Sequence, residues 1–310
     1  MSCVNIDIEE LIMIEIINYT TKAPLTMIGK MAGICWNSNT DDVVKNIKRA
    51  RECIDSGHGR TEEFPDVYFV ISGFSARVCR EFYTHIGGSP TRLQESTRYC
   101  NCEDFDYVEP NLNSEQVSVY KAAMDKIKES YKALLNAGVS KEDAANVLPL
   151  GMHTKVVCKM NLRTMIDMSH MRLCNRAYWE YRELMKQLIK ALSEYSYEWL
   201  EICKDHMKPK CEVCGFCIEA KCCGHMPTKK DLDLNRKILD CGAALGIPAN
   251  ITQDQELINE FKSLKKSSVD EHDFGIGLDK YFDKAGASMV VDLDMLHSFE
   301  RHLWEIKYDK

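Results

Sequence analysis

Cationic, hydroxyl and amide side chains crowd the run from Arg80 to Tyr99, where Thr84, His85, Arg92, Gln94, Ser96 and Arg98 flank the Gly87-Gly88 pair. Paired glycines let the backbone turn tightly. Guanidinium and hydroxyl donors around such a turn are the groups that hold a phosphate or a carboxylate. The run is therefore expected to form a loop that binds a small anion. A second concentration of reactive groups is Cys211, Cys214, Cys217, Cys222 and Cys223, followed by His225. Thiolates at Cys-x2-Cys spacing can converge on one metal, and Gly215 and Gly224 permit the turns that such a knuckle needs. Zinc is the first expectation for these five cysteines. An iron–sulfur cluster is the second, because the repeated spacing is also ferredoxin-like, and a set of unligated thiols is the third. The knuckle is expected to be a structural staple and not a reaction centre.

The elements that must position these groups follow from pattern. With 310 residues, one large domain and an appendage are expected. A formal charge of −7 disfavours a nucleic-acid polymer as partner and leaves room for a local basic pocket. No window approaches the ~18 unbroken apolar residues of a membrane span. Glu9, Glu10 and Glu15 interrupt the apolar Leu11 to Ile14, which reads as part of an opening strand over residues 1–20 and not as an export signal. A cytoplasmic location with reduced thiols is the corresponding expectation.

A helix is expected to begin near Met27. Another is expected after Thr40-Asp41-Asp42, with Val43, Ile47, Ala50 and Ile54 at helical spacing up to Gly57. Val67 to Ser72 reads as a strand, Ser75 to Tyr83 as a helix, and Ser114 as the cap of a long helix to Leu135. Ser140 to Asp143 is a capping-box start, Thr154 to Lys159 a strand, and Asn161 to Cys203 helical with a break near Cys174. Beyond the cysteines, helices are expected over Leu232 to Leu245, Gln255 to Leu264 and Met295 to Ile306, with a linker at Gly275 to Gly277. The mixture lacks regular βαβ alternation and indicates α+β. The divisions expected are 1–207, the cysteine segment 208–227, and a mainly helical extension 228–310.

Leu93 to Tyr99 closely resembles the nucleotide-gripping segment of the flavin-dependent thymidylate synthases, whose signature is Arg-His-Arg, seven residues, Ser, and shortly Arg-Tyr. Further matches occur in order. The stretch Gly57-His58 to Glu63 resembles a Gly-His, four residues, Glu segment. Val147 to Leu150, Asn161 to Arg163, Met171-Arg172 and Trp179 to Arg182 resemble the closing run of the family. About residues 10 to 205 are covered.

The resemblance implies an α+β flavin-dependent thymidylate synthase-like fold and a homotetramer with shared sites. It implies a reaction that turns dUMP into dTMP with FAD, taking carbon from methylenetetrahydrofolate and electrons from NADPH. It also implies residue roles. Gln94, Ser96 and Arg98 would bind the nucleotide. Arg172 would stabilise negative charge on the pyrimidine, with Ser96 beside it in the catalytic set. His58, Glu63, His85, Asn161 and Arg163 would contact the flavin. Taken singly, the arginines read as surface ion-pair residues, His58 as a helix C-cap and Asn161 as a helix cap.

The chain departs from the signature. Arg-His-Arg becomes Thr84-His85-Ile86, nine residues separate Ile86 from Ser96, a glutamine becomes Glu81, and a nucleotide-gripping arginine becomes Ala145 or Asn146. Arg92, inside the longer loop, is expected to replace a lost phosphate contact. Two rivals follow: a paralogous enzyme that modifies a pyrimidine nucleotide differently, and a non-catalytic assembly or nucleic-acid-binding protein on the same fold.

Overall fold

A computed structural model describes residues 13–306 except 89 and 288–289. The chain divides into two compact units, Met1–Val213 and Cys214–Lys310.

The first unit is built on a four-stranded antiparallel sheet in the order β1-β2-β4-β3. Strand β1 (Met13–Ile16) is the described part of the expected opening strand, the rest of which lies outside the described residues. Strands β2 (Asp66–Ser75) and β4 (His153–Asn161) pair centrally. Val67, Phe69 and Ile71 alternate with Val156, Cys158 and Met160 on one face, and all six are buried. This period of two is what lets a sheet bury one side. The buried side packs under the helices α1 (Pro24–Cys35), α2 (Val43–Asp55), α3 (Ala76–Phe82), α6 (Leu162–Arg172), α7 (Trp179–Tyr195) and α8 (Tyr197–His206). A separate small core forms around Tyr131 on α4 (Ser114–Asn136) and Ala144 on the short α5 (Lys141–Ala144).

Local chemistry sets these boundaries. The Asp42 side chain accepts from the Lys45 N–H at 3.1 Å and starts α2. Helix α1 begins three residues before Met27, because Pro24 at its first turn needs no hydrogen-bond partner for a missing N–H. Helix α4 is capped by Asn113 and not Ser114, in a reciprocal box with Gln116. Ser75 caps α3, and buried Glu180 on α7 receives both its backbone N–H (2.6 Å) and its hydroxyl (2.7 Å). That pair ties the end of β2 to α7. One difference from sequence expectation bears on the site. Thr91–Gln94 is not loop but a strand, β3, running antiparallel to β4 with Thr91 opposite Lys159.

The second unit is helical. Helix α9 (Lys210–Cys214) leads into it, and α10 (Lys229–Ala244), α11 (Ala249–Thr252), α12 (Gln255–Ser267), α13 (Glu271–Lys284) and α14 (Leu293–Glu305) enclose a core that includes Phe261, Phe274, Phe282 and Phe299. The expected linker at Gly275 to Gly277 is interior helix. A Cβ on Gly277 would lie 2.3 Å from Leu264, so close approach to α12 explains the glycine. Among the described residues no helix is long and apolar enough to cross a membrane.

Candidate active site

Helix α6 carries an arginine at each end, and residues 85–88 run alongside it. At its C-terminal end Arg172 draws on three elements. Its Nε donates to Nε2 of His85 at 2.9 Å, Nη1 to Glu81 Oε2 at 3.2 Å and Nη2 to Thr84 Oγ1 at 3.4 Å. Its guanidinium carbon stands 4.6 Å from the ring centroid of Tyr181 on α7. The side chain remains 22% exposed. His85 is only 7% exposed. Burial, then the charges of Arg172 and Arg92, push its pKa down to about 4. The ring is therefore neutral near pH 7, and because Nε2 accepts from Arg172 its proton sits on Nδ1. A neutral acceptor thus holds Arg172 on one side, while the Glu81 carboxylate balances its charge on another.

Arg92 is turned to the interior. Its guanidinium lies 4.9 Å from the Phe82 ring and 5.2 Å from that of Tyr83, donates to the Tyr83 carbonyl at 3.3 Å and also bonds the His85 carbonyl. The expected phosphate contact is thus replaced by a role in fixing the backbone at His85, because strand pairing of β3 aims Arg92 at α3.

At the N-terminal end of α6, Asn161 is both the last residue of β4 and the helix cap. Its Oδ1 accepts from the Thr164 N–H at 2.9 Å, and the Thr164 hydroxyl donates to the Gly87 carbonyl at 2.6 Å. Gly88 has φ +67, and a Cβ there would stand 2.4 Å from Asn161 Nδ2. Glycine is required on both counts. Arg163 donates to Glu63 Oε1 at 2.7 Å, lies against Gly59, and is 48% exposed. His58, the residue before Gly59, is exposed. A cavity of about 710 Å³ opens here. Asp55, Glu62, Asp167, Glu201, Asp205 and Glu212 on its wall outnumber the cations Arg51, Arg163, Lys208 and Lys210. That lining does not suit a pyrophosphate, which is better served by the outward face of Arg163.

The segment Gln94 to Arg98 has partners of its own. Gln94 donates to Thr154 Oγ1 at 3.2 Å, Ser96 Oγ accepts from the Arg98 N–H at 3.3 Å, and Arg98 pairs with Glu142 at 3.1 Å. The structure thus groups His85 with Arg172, Asn161 with Thr164 and Gly88, Arg163 with Glu63, and Ser96 with Arg98. Sequence reasoning missed Glu81, Thr164 and Tyr181 as partners. Only Glu81 carried a signal, its departure from glutamine.

The family profile described as thymidylate synthase complementing protein matches residues 15–196. The flavin-dependent thymidylate synthase of Thermococcus kodakarensis is 31% identical over 229 residues, covering 68% of this chain and 90% of that protein. That of Pyrococcus furiosus is 29% identical over 232 residues, covering 67% and 90%. The chain belongs to the flavin-dependent thymidylate synthase family. A Helicobacter pylori structure described as thymidylate synthase X with FAD and dUMP aligns with 63% of this chain and 100% of its own at TM-score 0.49 and 22% identity. Where the family signature reads Arg-His-Arg, this chain has Thr84-His85-Ile86.

Of the five cysteines expected to share a metal, the structure brings Cys217 and Cys222 within hydrogen-bond reach. Cys214, Cys222 and Cys223 are exposed, and the Cys222 sulfur accepts from the Gly224 N–H at 3.3 Å. Among the described residues, no three of these thiols gather within reach of one ion.

Proposed function

We propose that the protein reductively methylates dUMP to dTMP, with FAD, methylenetetrahydrofolate and NADPH, in a homotetramer whose sites combine residues of different subunits. The observation that carries this reading is Arg172. It is charged, partly exposed, and held on a neutral imidazole at the end of a helix in the family-matched segment. A donor fixed in advance stabilises charge that develops on a pyrimidine without reorganising during reaction.

The residues present fit the flavin and the nucleotide. Arg163 keeps an outward face for an anionic group, and Gly88 leaves space over Asn161 that any side chain would fill. His58, Arg163 and the Asn161 amide would hold the flavin, and reduced flavin supplies the electrons of the reaction. Gln94 can match a uracil edge, since its amide both donates and accepts. Ser96 and Arg98 would take the phosphate, with Arg98 exchanging its exposed Glu142 partner for it. The bonds of these three run to Thr154, to one another and to Glu142, and on this reading a neighbouring subunit completes the site. Native mass spectrometry tests the tetramer. Flavin fluorescence quenching, and NADPH oxidation that depends on dUMP and yields dTMP, test the activity.

A second reading rests on a specific observation. Thr84 donates to the Glu81 carbonyl, and Ile86 is exposed where the family signature has a guanidinium. On this reading the flavin turns over with a pyrimidine nucleotide but installs a group other than methyl. Product analysis with methylenetetrahydrofolate separates the two, dTMP supporting the first and its absence with continued turnover the second.

A further inference from the structure

The second unit lies outside the matched residues 15–196 and holds a polar cluster that its apolar core does not explain. On α14, His297 and Glu300 are three residues apart and so share a face. On α13, Asp279 faces them. One ligand atom from each of the three lies within 4.8 Å of the other two, and His297 Nε2 is 3.7 Å from Asp279 Oδ1. Clusters of acids are common on surfaces. This one differs in Glu300, which is only 7% exposed and whose carboxyl hydrogen-bonds Asp279 while its Oε1 is buried without a hydrogen-bond partner.

A buried carboxylate oxygen left unsatisfied is costly, and two adjacent carboxylates need a proton or a cation between them. The cluster lines a cavity of about 510 Å³ shared with Glu271, His272 and Gly275.

We infer that Asp279, His297 and Glu300 form a binding site for a divalent first-row metal ion, joining α13 to α14. One imidazole nitrogen and two carboxylate oxygens suit manganese, cobalt or zinc. The imidazole argues against magnesium or calcium, and the absence of thiolate against copper(I) or an iron–sulfur cluster. Ligation at ~2.0–2.2 Å places donors roughly 3.5 Å apart around a tetrahedral ion, so small rotamer adjustments of the two half-exposed ligands complete the set. Three protein ligands leave at least one position open towards the cavity.

The test uses the full-length protein, stripped with a chelator and titrated with Mn²⁺ alone, read by the paramagnetic resonance signal of the free ion. The expected result is one Mn²⁺ per chain, with affinity at least tenfold weaker in His297→Ala and in Glu300→Gln and unchanged in Cys217→Ser. Co²⁺ should bind at the same stoichiometry without the near-ultraviolet absorption of a cobalt–thiolate bond. His297 is half-exposed, so His297→Ala should keep its helical circular dichroism and decides the matter if Glu300→Gln unfolds. Wild-type protein that binds no more Mn²⁺ than His297→Ala would overturn the site and leave a proton shared by the two carboxyls. Binding lost in Cys217→Ser and kept in His297→Ala would overturn it in favour of the thiols.

Discussion

The two ends of α6 hold their arginines in opposite ways. Arg172 is bonded to His85, Glu81 and Thr84, stacked on Tyr181, and mostly buried, whereas Arg163 has a single carboxylate partner and is half-exposed. An exposed ion pair contributes only ~0–1 kcal/mol, so Arg163 can exchange Glu63 for a ligand at little cost. Arg172 is instead fixed before any ligand arrives. On the proposed function, the preorganised donor serves the chemical step and the exchangeable one serves cofactor binding.

The comparison breaks most visibly at Arg172. Arg172→Ala should lower the rate of product formation ~10²–10³-fold while flavin still binds, as expected for loss of one charge-stabilising donor. Single-turnover rates and flavin titration check both halves. Turnover within a few-fold of wild type would remove Arg172 from the chemistry.

His85 supplies the next largest effect. Its pKa is about 4 when folded against ~6.5 when unfolded, so between these pH values the unfolded chain binds the extra proton. Its contribution is therefore complete above pH ~6.5 and lost as pH falls towards 4, by about 3 kcal/mol at most. Urea unfolding from pH 7 to pH 4.5 should show this slope, and His85→Gln should flatten it. Gly88→Ala should destabilise the first unit by ~2 kcal/mol, from positive φ and the clash with Asn161, read as a lower unfolding midpoint.

Smaller changes sharpen the contrast. Glu81→Gln removes a carboxylate from Arg172 and a negative charge from the neighbourhood of an anionic nucleotide, so dUMP should bind a few-fold more tightly in calorimetry. Arg163→Ala should cost less than ~1 kcal/mol of stability, the exposed-pair range, yet weaken flavin. Equal loss of stability at Arg163 and Arg172 would erase the distinction between the two ends.

Much of this arrangement was legible in the sequence for local reasons. Asp42, Ser75 and Ser140 announce their helices because a cap acts within three residues of itself. Strand β2 shows its buried alternation directly. Strand β3 does not, because an edge strand with little buried surface has no alternation to display, so Arg92 reads as a loop residue free to meet a phosphate. Gly275 and Gly277 read as breakers, while the packing of Leu264 that keeps Gly277 in a helix is a contact between distant residues. The ordered motifs located both ends of α6 but not their grouping. That His85 belongs with Arg172 and Glu81, and not with Arg163, depends on the path of residues 85–88.

Asn161 ends β4 and caps α6 with no loop between them, so the sheet register fixes the rotation of the helix. A residue inserted there would turn everything beyond it by ~100° about the helix axis, carrying both arginines off their partners. The stretch between Ile86 and Ser96 transmits no such rotation, and it already carries two residues more than the family signature. Length variation in this protein should accordingly avoid the junction of strand β4 and helix α6, where one added residue would misplace both arginines at once.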